Sequence, residues 1–321
     1  MIRDILVPLD GSVFSEHALP RAVDLARRSG ATLHIVQVHE PPVVVDGPES
    51  VPYFDEAFDA SLRAQEQEYL RSMSLRCVDH GISPRTELLG GSVAVALATY
   101  AAEAGIDQIV MTTHGRGGIS RLWLGSVADA LVRRSTAPLL LVRPRGGPVD
   151  WNSPRTTAHV LVPLDGSPLS ESVLPAATAL GSLTGAHFTL MRVVMPVPFI
   201  AGPAHIPPVF SDEGVTQSRA DALLYLERVA ARLRVDGHTV DTTATIHTSP
   251  ALAILDRAAS VAADVIAMAT RGRGGWSRVA LGSVADKVMR GTSMPVLLLR
   301  PTGHAGDEAD GADERELSEA T

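Results

Sequence analysis

The stretch Ile5-Leu6-Val7-Pro8-Leu9-Asp10-Gly11-Ser12 sets the fold, and it returns later as Val160-Leu161-Val162-Pro163-Leu164-Asp165-Gly166-Ser167. A second pair of matches follows in the same order: Gly115-Arg116-Gly117-Gly118 with Leu124-Gly125-Ser126-Val127-Ala128-Asp129, and Gly272-Arg273-Gly274-Gly275 with Leu281-Gly282-Ser283-Val284-Ala285-Asp286. The offsets of 155 and 157 residues differ by only two. The chain therefore contains a duplicated unit of about 145 residues, an ordinary size for a domain with its own core.

Each unit alternates short apolar runs with segments of helical periodicity. In the first unit, strands are predicted at 5–9, 32–39, 85–89, 107–112 and 138–143, with helices at 15–29, 57–80, 93–104 and 127–134. In the second, strands are predicted near 159–164, 187–194, 240–246, 264–269 and 295–300. This alternation is typical of an open parallel sheet covered by helices on both faces. The prediction is two tandem five-stranded α/β domains of Rossmann-like form.

The domain boundaries follow from the repeat and from local composition. We predict a first domain at 1–143, a linker at 144–157, a second domain at 158–301 and a disordered tail at 302–321. The tail carries seven acidic side chains and one arginine, so most of the net charge of −8 belongs to it. Proline-rich loops at 40–55 and 195–210 differ between the two units. Because loops carry function on rigid scaffolds, partner choice is predicted to reside there.

Composition excludes several classes of protein. The nearly neutral folded part lacks the basic stripe of a nucleic-acid-binding protein, and no apolar run is long enough to span a membrane. Cys77 is the only cysteine, and it is interpreted as a small helix residue rather than a redox sensor. Lys287 is the only lysine and follows no glycine loop, so there is no P-loop. The first residues do not form a signal peptide, and a cytoplasmic protein is expected.

The first candidate site residues are Asp10 and Asp165, each directly after the first strand of its unit. Open α/β sheets bind ligands at the carboxyl ends of their strands, where the strand order reverses. In one copy alone, Asp-Gly-Ser is most simply a turn followed by a helix cap.

The glycine-rich segment is the second candidate. Gly115, Gly118, Gly272 and Gly275 follow the fourth strand of each unit, and Gly125-Ser126 and Gly282-Ser283 stand at the entry to the last helix. Glycines let the backbone approach an anion, and a helix N-terminus offers free N–H groups. Ser126 and Ser283 are expected to cap that helix or to donate to a phosphate oxygen.

Together these motifs resemble the universal stress protein family in its tandem form. The ATP-binding signature of that family is G-x2-G-x9-G-[ST], and this chain has Gly115-x9-Gly125-Ser126 and Gly272-x9-Gly282-Ser283. The resemblance implies that Asp10 with the backbone of Val38, and Asp165 with that of Val193, hold adenosine. It also implies that the Gly-rich loop and the Gly-Ser pair take the ribose and phosphates. Family members pair through their last strands, so the two halves are expected to pair with each other.

The first glycine of the signature is replaced by Thr112 in the first unit and by Ala269 in the second. If that position requires a positive φ, nucleotide affinity falls; if it requires only a small side chain, little changes. We favour the second alternative because the rest of the signature is intact.

The expected function is an ATP-binding regulatory module of the stress response, with Mg²⁺ accompanying the nucleotide. No general base or nucleophile stands out, so the chain is not expected to be an enzyme. Expected partners are an adenine nucleotide, a second copy of the chain and a further protein, but neither nucleic acid nor a membrane. The alternative is a scaffold that works through protein contacts alone, with the glycine loops serving only as turns.

Overall fold

The computed structural model describes residues 1–42, 54–113, 124–144, 147–152, 156–196, 212–271 and 281–301. Most of each predicted proline-rich loop and the whole predicted tail lie outside these ranges. The first half, half one, contains β1 Asp4–Leu9, α1 Val13–Glu16, α2 Leu19–Ser29, β2 Thr32–His39, α3 Glu56–Asp79, β3 Arg85–Gly90, α4 Val93–Glu103, β4 Gln108–Thr112, α5 Ser126–Arg134 and β5 Leu139–Val142. The second, half two, contains β6 His159–Pro163, α6 Pro168–Glu171, α7 Leu174–Ser182, β7 His187–Val194, α8 Asp212–Val235, β8 Thr239–Ile246, α9 Pro250–Ser260, β9 Val265–Ala269, α10 Ser283–Gly291 and β10 Val296–Leu299.

The strands form one ten-stranded sheet in the order β3-β2-β1-β4-β5-β10-β9-β6-β7-β8. Neighbours within each half are parallel, whereas β5 and β10 are antiparallel. The predicted α/β class is confirmed, and the last strands of the two halves pair as expected. Because the halves meet antiparallel, their strands end at opposite sides of the sheet. We call these the carboxyl edge of half one and the carboxyl edge of half two.

The first helix of half one is shorter than predicted. A single helix was expected at 15–29, but α1 ends at Glu16 and α2 begins at Leu19, with Pro20 in its first turn. Proline has no N–H to donate to the carbonyl four residues earlier, and its ring clashes with that carbonyl. Half two breaks in the same way, because Pro175 stands in the first turn of α7.

Two hydrophobic cores cover the two faces of the sheet, and each contains residues of both halves. Alternate residues of each strand point to opposite faces, so Ile5 joins one core and Leu6 the other. Leu140 of β5 and Leu297 of β10 are register partners, and both are fully buried in the same core. The junction of β5 with β10, which we call the seam, is thus part of a core that both halves share.

Side chains also join the halves. Arg143, which follows β5, donates to the carbonyl oxygens of Met289 and Arg290 at 3.1 and 3.5 Å. Arg300, which follows β10, donates to the carbonyl oxygen of Arg133. In the linker, Trp151 stacks on His80 at the end of α3 with ring centroids 5.0 Å apart.

Candidate functional site

The strand register gathers three of the predicted site residues of half one. Leu9 is level with Gln37, so Asp10 follows β1 beside Val38 on β2. Leu6 is level with Ile109, so Thr112 stands at the end of β4 on the other side of β1. The crossover from β1 leads to β2, whereas β4 flanks β1 on its other side, and ligands of open α/β sheets bind at such a reversal.

Half two repeats this arrangement at its own carboxyl edge. Pro163 is level with Met191, so Asp165 follows β6 beside Val193. Leu161 is level with Ile266, so Ala269 at the end of β9 lies beside Leu164, the residue before Asp165. The two candidate sites therefore have the same plan and lie on opposite sides of the sheet.

A hydrogen-bonded turn fixes each aspartate. Asp10 Oδ1 accepts the backbone N–H of Ser12 at 2.9 Å and its hydroxyl at 2.6 Å. Ser12 then caps α1 by accepting the N–H of Ser15, and Gly11 takes a φ of +80° that few other residues tolerate. The expected turn and cap are thus present, and they orient the carboxylate at the carboxyl edge.

The turn of half two matches bond for bond. Asp165 Oδ1 accepts the N–H and the hydroxyl of Ser167 at 2.8 and 2.6 Å, and Gly166 has a φ of +88°. Ser170 N–H donates to the Ser167 hydroxyl oxygen at 3.2 Å. A geometry reproduced in two halves of different sequence is specified by the residues that the halves share.

Thr112 and Ala269 occupy ordinary strand positions. Both are buried, and the only non-glycine residue with a positive φ in the described ranges is Ala262. A Cβ at either position therefore causes no backbone strain, in agreement with the alternative that this position requires only a small side chain.

The last helix of each half begins against the end of a central strand. Gly125 N–H donates to the carbonyl of Thr113, and Gly282 N–H to that of Thr270, both at 2.8 Å. A Cβ added to Gly282 would lie 2.8 Å from that same Thr270 oxygen, so glycine is needed here for close approach. Its φ of −58° is unremarkable.

The predicted capping role of the serines is wrong. The cap positions belong to Gly125 and Gly282, and Ser126 and Ser283 are the first helical residues. Among the described residues no side chain caps this first turn, so its N–H groups, which carry about half a positive charge, face the carboxyl edge. The four loop glycines Gly115, Gly118, Gly272 and Gly275 lie outside the described residues.

Three further side chains, which the sequence motifs do not indicate, join the short helix after each turn to the long helix of the same half. Glu16 of α1 accepts from the Tyr69 hydroxyl and from Arg76 of α3, both at 3.4 Å. The equivalent set in half two is Glu171, Tyr225 and Arg232, with the tyrosine at 2.9 Å. Burial, and then the neighbouring glutamate, raises the pKa of each tyrosine above its ordinary value, so each hydroxyl remains a donor. Alignment of the two halves residue by residue reveals these identities.

One cluster is found in half one alone. His39, the last residue of β2, contacts Asp59 Oδ1 at 2.8 Å through Nε2 and Glu66 Oε2 at 2.7 Å through Nδ1. Burial disfavours the charged ring, but the two carboxylates outweigh it and raise the pKa of His39. Arg63, and then His39, lowers the pKa of Asp59. The position equivalent to His39 in half two is Val194.

Among the described residues, neither the cysteine nor the metal-ligating side chains add a second candidate site. Cys77 is fully buried, and burial raises the pKa of its thiol to about 12, as suits a core residue. Within the described ranges, no three His, Cys, Asp or Glu side chains are grouped closely enough to hold a metal ion. None of the helices in those ranges combines the length and hydropathy needed to cross a bilayer.

Comparison with known proteins agrees with this architecture. The universal stress protein family model matches residues 1–143 and 156–300. A universal stress protein of Mycolicibacterium smegmatis is 27% identical over 305 residues, which cover 92% of this chain and 97% of that protein. A single-unit relative from Thermus aquaticus is 34% identical over 145 residues, or 44% of this chain and all of that protein. A universal stress protein structure from Archaeoglobus fulgidus has the same fold, with a TM-score of 0.64, 20% identity and coverage of 95% and 97% of the two chains.

Proposed function

The chain belongs to the universal stress protein family, and from that premise we propose that it is an ATP-binding regulatory module of the stress response. Each half would bind one nucleotide at its carboxyl edge. Occupancy would alter the loops and surfaces that partner proteins contact, including the proline-rich segments at 40–55 and 195–210. A cytoplasmic setting is part of the proposal.

One observation carries the proposal: at the reversal point of each half lie a fixed aspartate turn and a helix N-terminus that no described side chain caps. Asp10 lies beside Val38, and the first turn of α5 packs against the residue after β4. A carboxylate can accept hydrogen bonds from ribose or adenine groups, and the helix N-terminus suits an anion. An ATP molecule has both kinds of group at opposite ends.

The described residues supply no metal cage, so Mg²⁺ would arrive bound to the phosphates, as is usual for this ion. The proposal does not include an enzymatic activity. Hydrolysis requires a residue that orients the attacking water, and neither the sequence motifs nor the described residues of the two sites offer a candidate. The regulatory signal would be the bound nucleotide itself.

The competing function is a scaffold that works without a nucleotide. The hydrogen bonds of Ser12 to Asp10 and of Ser15 to Ser12 favour it, because they give the turn a purely structural role. The scaffold hypothesis leaves the repeated helix N-terminus without a function, and for this reason we prefer ATP binding.

The test is nucleotide content and calorimetric titration of the full chain with MgATP. Asp10→Asn and Asp165→Asn are suitable variants, because an asparagine oxygen can still accept the two bonds from the serine and preserve the turn. Each variant should weaken one site by about tenfold, equal to about 1.4 kcal/mol, as expected for one lost hydrogen bond to a charged group.

The matched control is Asp79→Asn, since Asp79 is exposed at the end of α3, away from both turns. It should bind like the parent chain. A chain that contains no nucleotide and gives no heat with MgATP would leave the scaffold as the function.

A further inference from the structure

The hydrogen bonds around the seam form a closed ring that passes through both candidate sites. At the carboxyl edge of half one, Gly125 N–H donates to Thr113 O, and Thr113 N–H donates to Val142 O at 3.0 Å. Val142 is followed in the chain by Arg143, which donates across the seam to the carbonyls of Met289 and Arg290 in the last turn of α10.

The ring continues along α10 to the other site. The N-terminal cap of α10 is Gly282, whose N–H donates to Thr270 O, and Thr270 N–H donates to Leu299 O at 2.8 Å. Arg300 follows and bonds the carbonyl of Arg133 in the last turn of α5. The helix α5 leads back to Gly125, where the ring began.

The helices α5 and α10 are therefore each held at the C-terminal end by an arginine of the other half. We infer that Arg300 positions α5 for the site of half one and Arg143 positions α10 for the site of half two, so that the two sites are energetically coupled. This inference rests on the proposed function, and it adds to it a means by which one bound nucleotide affects the other.

The physical basis is the stiffness of a short helix. Its backbone hydrogen bonds fix the rise per residue, so a shift of the last turn moves the first turn by a similar amount. The arginines are also well matched to their targets, because a guanidinium complements the partial negative charge of a helix C-terminus. A nucleotide that draws α5 toward its phosphates would pull on Arg300 beside the second site.

The affinity of each half for MgATP, measured separately, tests the positioning role of the arginines. In an Asp165→Asn chain, titration with MgATP reports mainly the site of half one; in an Asp10→Asn chain, mainly that of half two. Arg300→Gln should weaken the half-one site by about fivefold, at the low end of measured couplings between sites, and should change the half-two site less than twofold. Arg143→Gln should give the reverse pattern.

Arg300→Lys is the conservative variant, since an ammonium keeps the positive charge at the helix C-terminus and can still donate to the Arg133 carbonyl, whereas the shorter glutamine amide is neutral. The lysine variant should restore most of the affinity. Loss at the half-two site alone, or at neither site, upon Arg300→Gln would overturn the inference. An equal loss from the lysine variant would also overturn it.

Hydrogen exchange of the nucleotide-free chain separates this inference from the proposed function. Arg300→Gln should speed amide exchange in α5 more than in α10, and Arg143→Gln should do the opposite. If the parent chain binds no MgATP, the proposed function fails, yet the exchange pattern still decides whether the arginines position the helices. Equal exchange in both helices would refute their positioning role.

Discussion

The charge of His39 depends on the fold. Both ring nitrogens face carboxylate oxygens, of Asp59 and Glu66, and both must carry protons to donate to them. The pKa of His39 is raised in the folded chain, so the protonated ring stabilises the fold at pH values below its unfolded pKa. That stabilisation is lost as the pH rises through the higher folded pKa.

The variant His39→Val tests this, because valine is the residue that half two has at the equivalent position. Urea unfolding should show the parent chain more stable than the variant at pH 6, about half a unit below the ordinary histidine pKa. The difference should shrink steadily toward pH 9. A difference that does not change with pH would mean that His39 binds protons equally in the folded and unfolded chains, so that folding does not raise its pKa.

At the scale of elements, the approach of α10 to the end of β9 depends on one missing side chain. The Cβ of Gly282→Ala would meet the Thr270 backbone oxygen at 2.8 Å, and backbone cannot move aside as a flexible side chain can. We expect a loss of about 1–3 kcal/mol of unfolding free energy, typical of overpacking, together with weaker MgATP binding as the helix moves away.

The matched control is Gly90→Ala, because a Cβ at Gly90 meets nothing within 4 Å and its φ is not positive. Its unfolding free energy should stay within about 0.5 kcal/mol of the parent value, as for surface changes elsewhere. A Gly282→Ala chain as stable as this control would show that α10 can shift without cost. Ser283→Ala then probes the first turn of the helix without adding bulk.

The same elements show why the sequence predicted some features and missed others. Strand positions and the parallel sheet were predictable, since apolar runs and their spacing are local signals. The break at Pro20 is also local, but the apolar spacing of the flanking residues continues through it and therefore predicts a single helix. Contacts of Glu16 with Tyr69 and Arg76 join residues 53 and 60 positions apart, and no local pattern reports such a distance.

The candidate site could be predicted to the extent that its sequence motifs repeat. Two copies of Asp-Gly-Ser made the turn recognisable, and the register then placed Val38 and Thr112 beside it. The cap was misassigned to Ser126 because serine is the common capping residue. Here the helix starts at the serine, since the preceding Gly125 is bonded to Thr113. That bond depends on how α5 packs against the end of β4, and no local sequence pattern predicts this packing.

At the scale of the whole molecule, the shared core at the seam should make the two halves unfold together. Leu140 and Leu297 are paired across it and fully buried, so Leu140→Ala leaves a cavity that borders both halves. We expect a cost of about 2–5 kcal/mol and faster hydrogen exchange in strands of both halves, including β9 and β6. Leu33→Ala is the matched control, because Leu33 is equally buried but lies on β2, three strands from the seam. The increase in exchange for that variant should be largest in half one.

If Leu140→Ala also speeds exchange in half one alone, the halves are independent folding units joined by a strand pair. Coupling between their sites would then have to depend on Arg143 and Arg300 without help from the core.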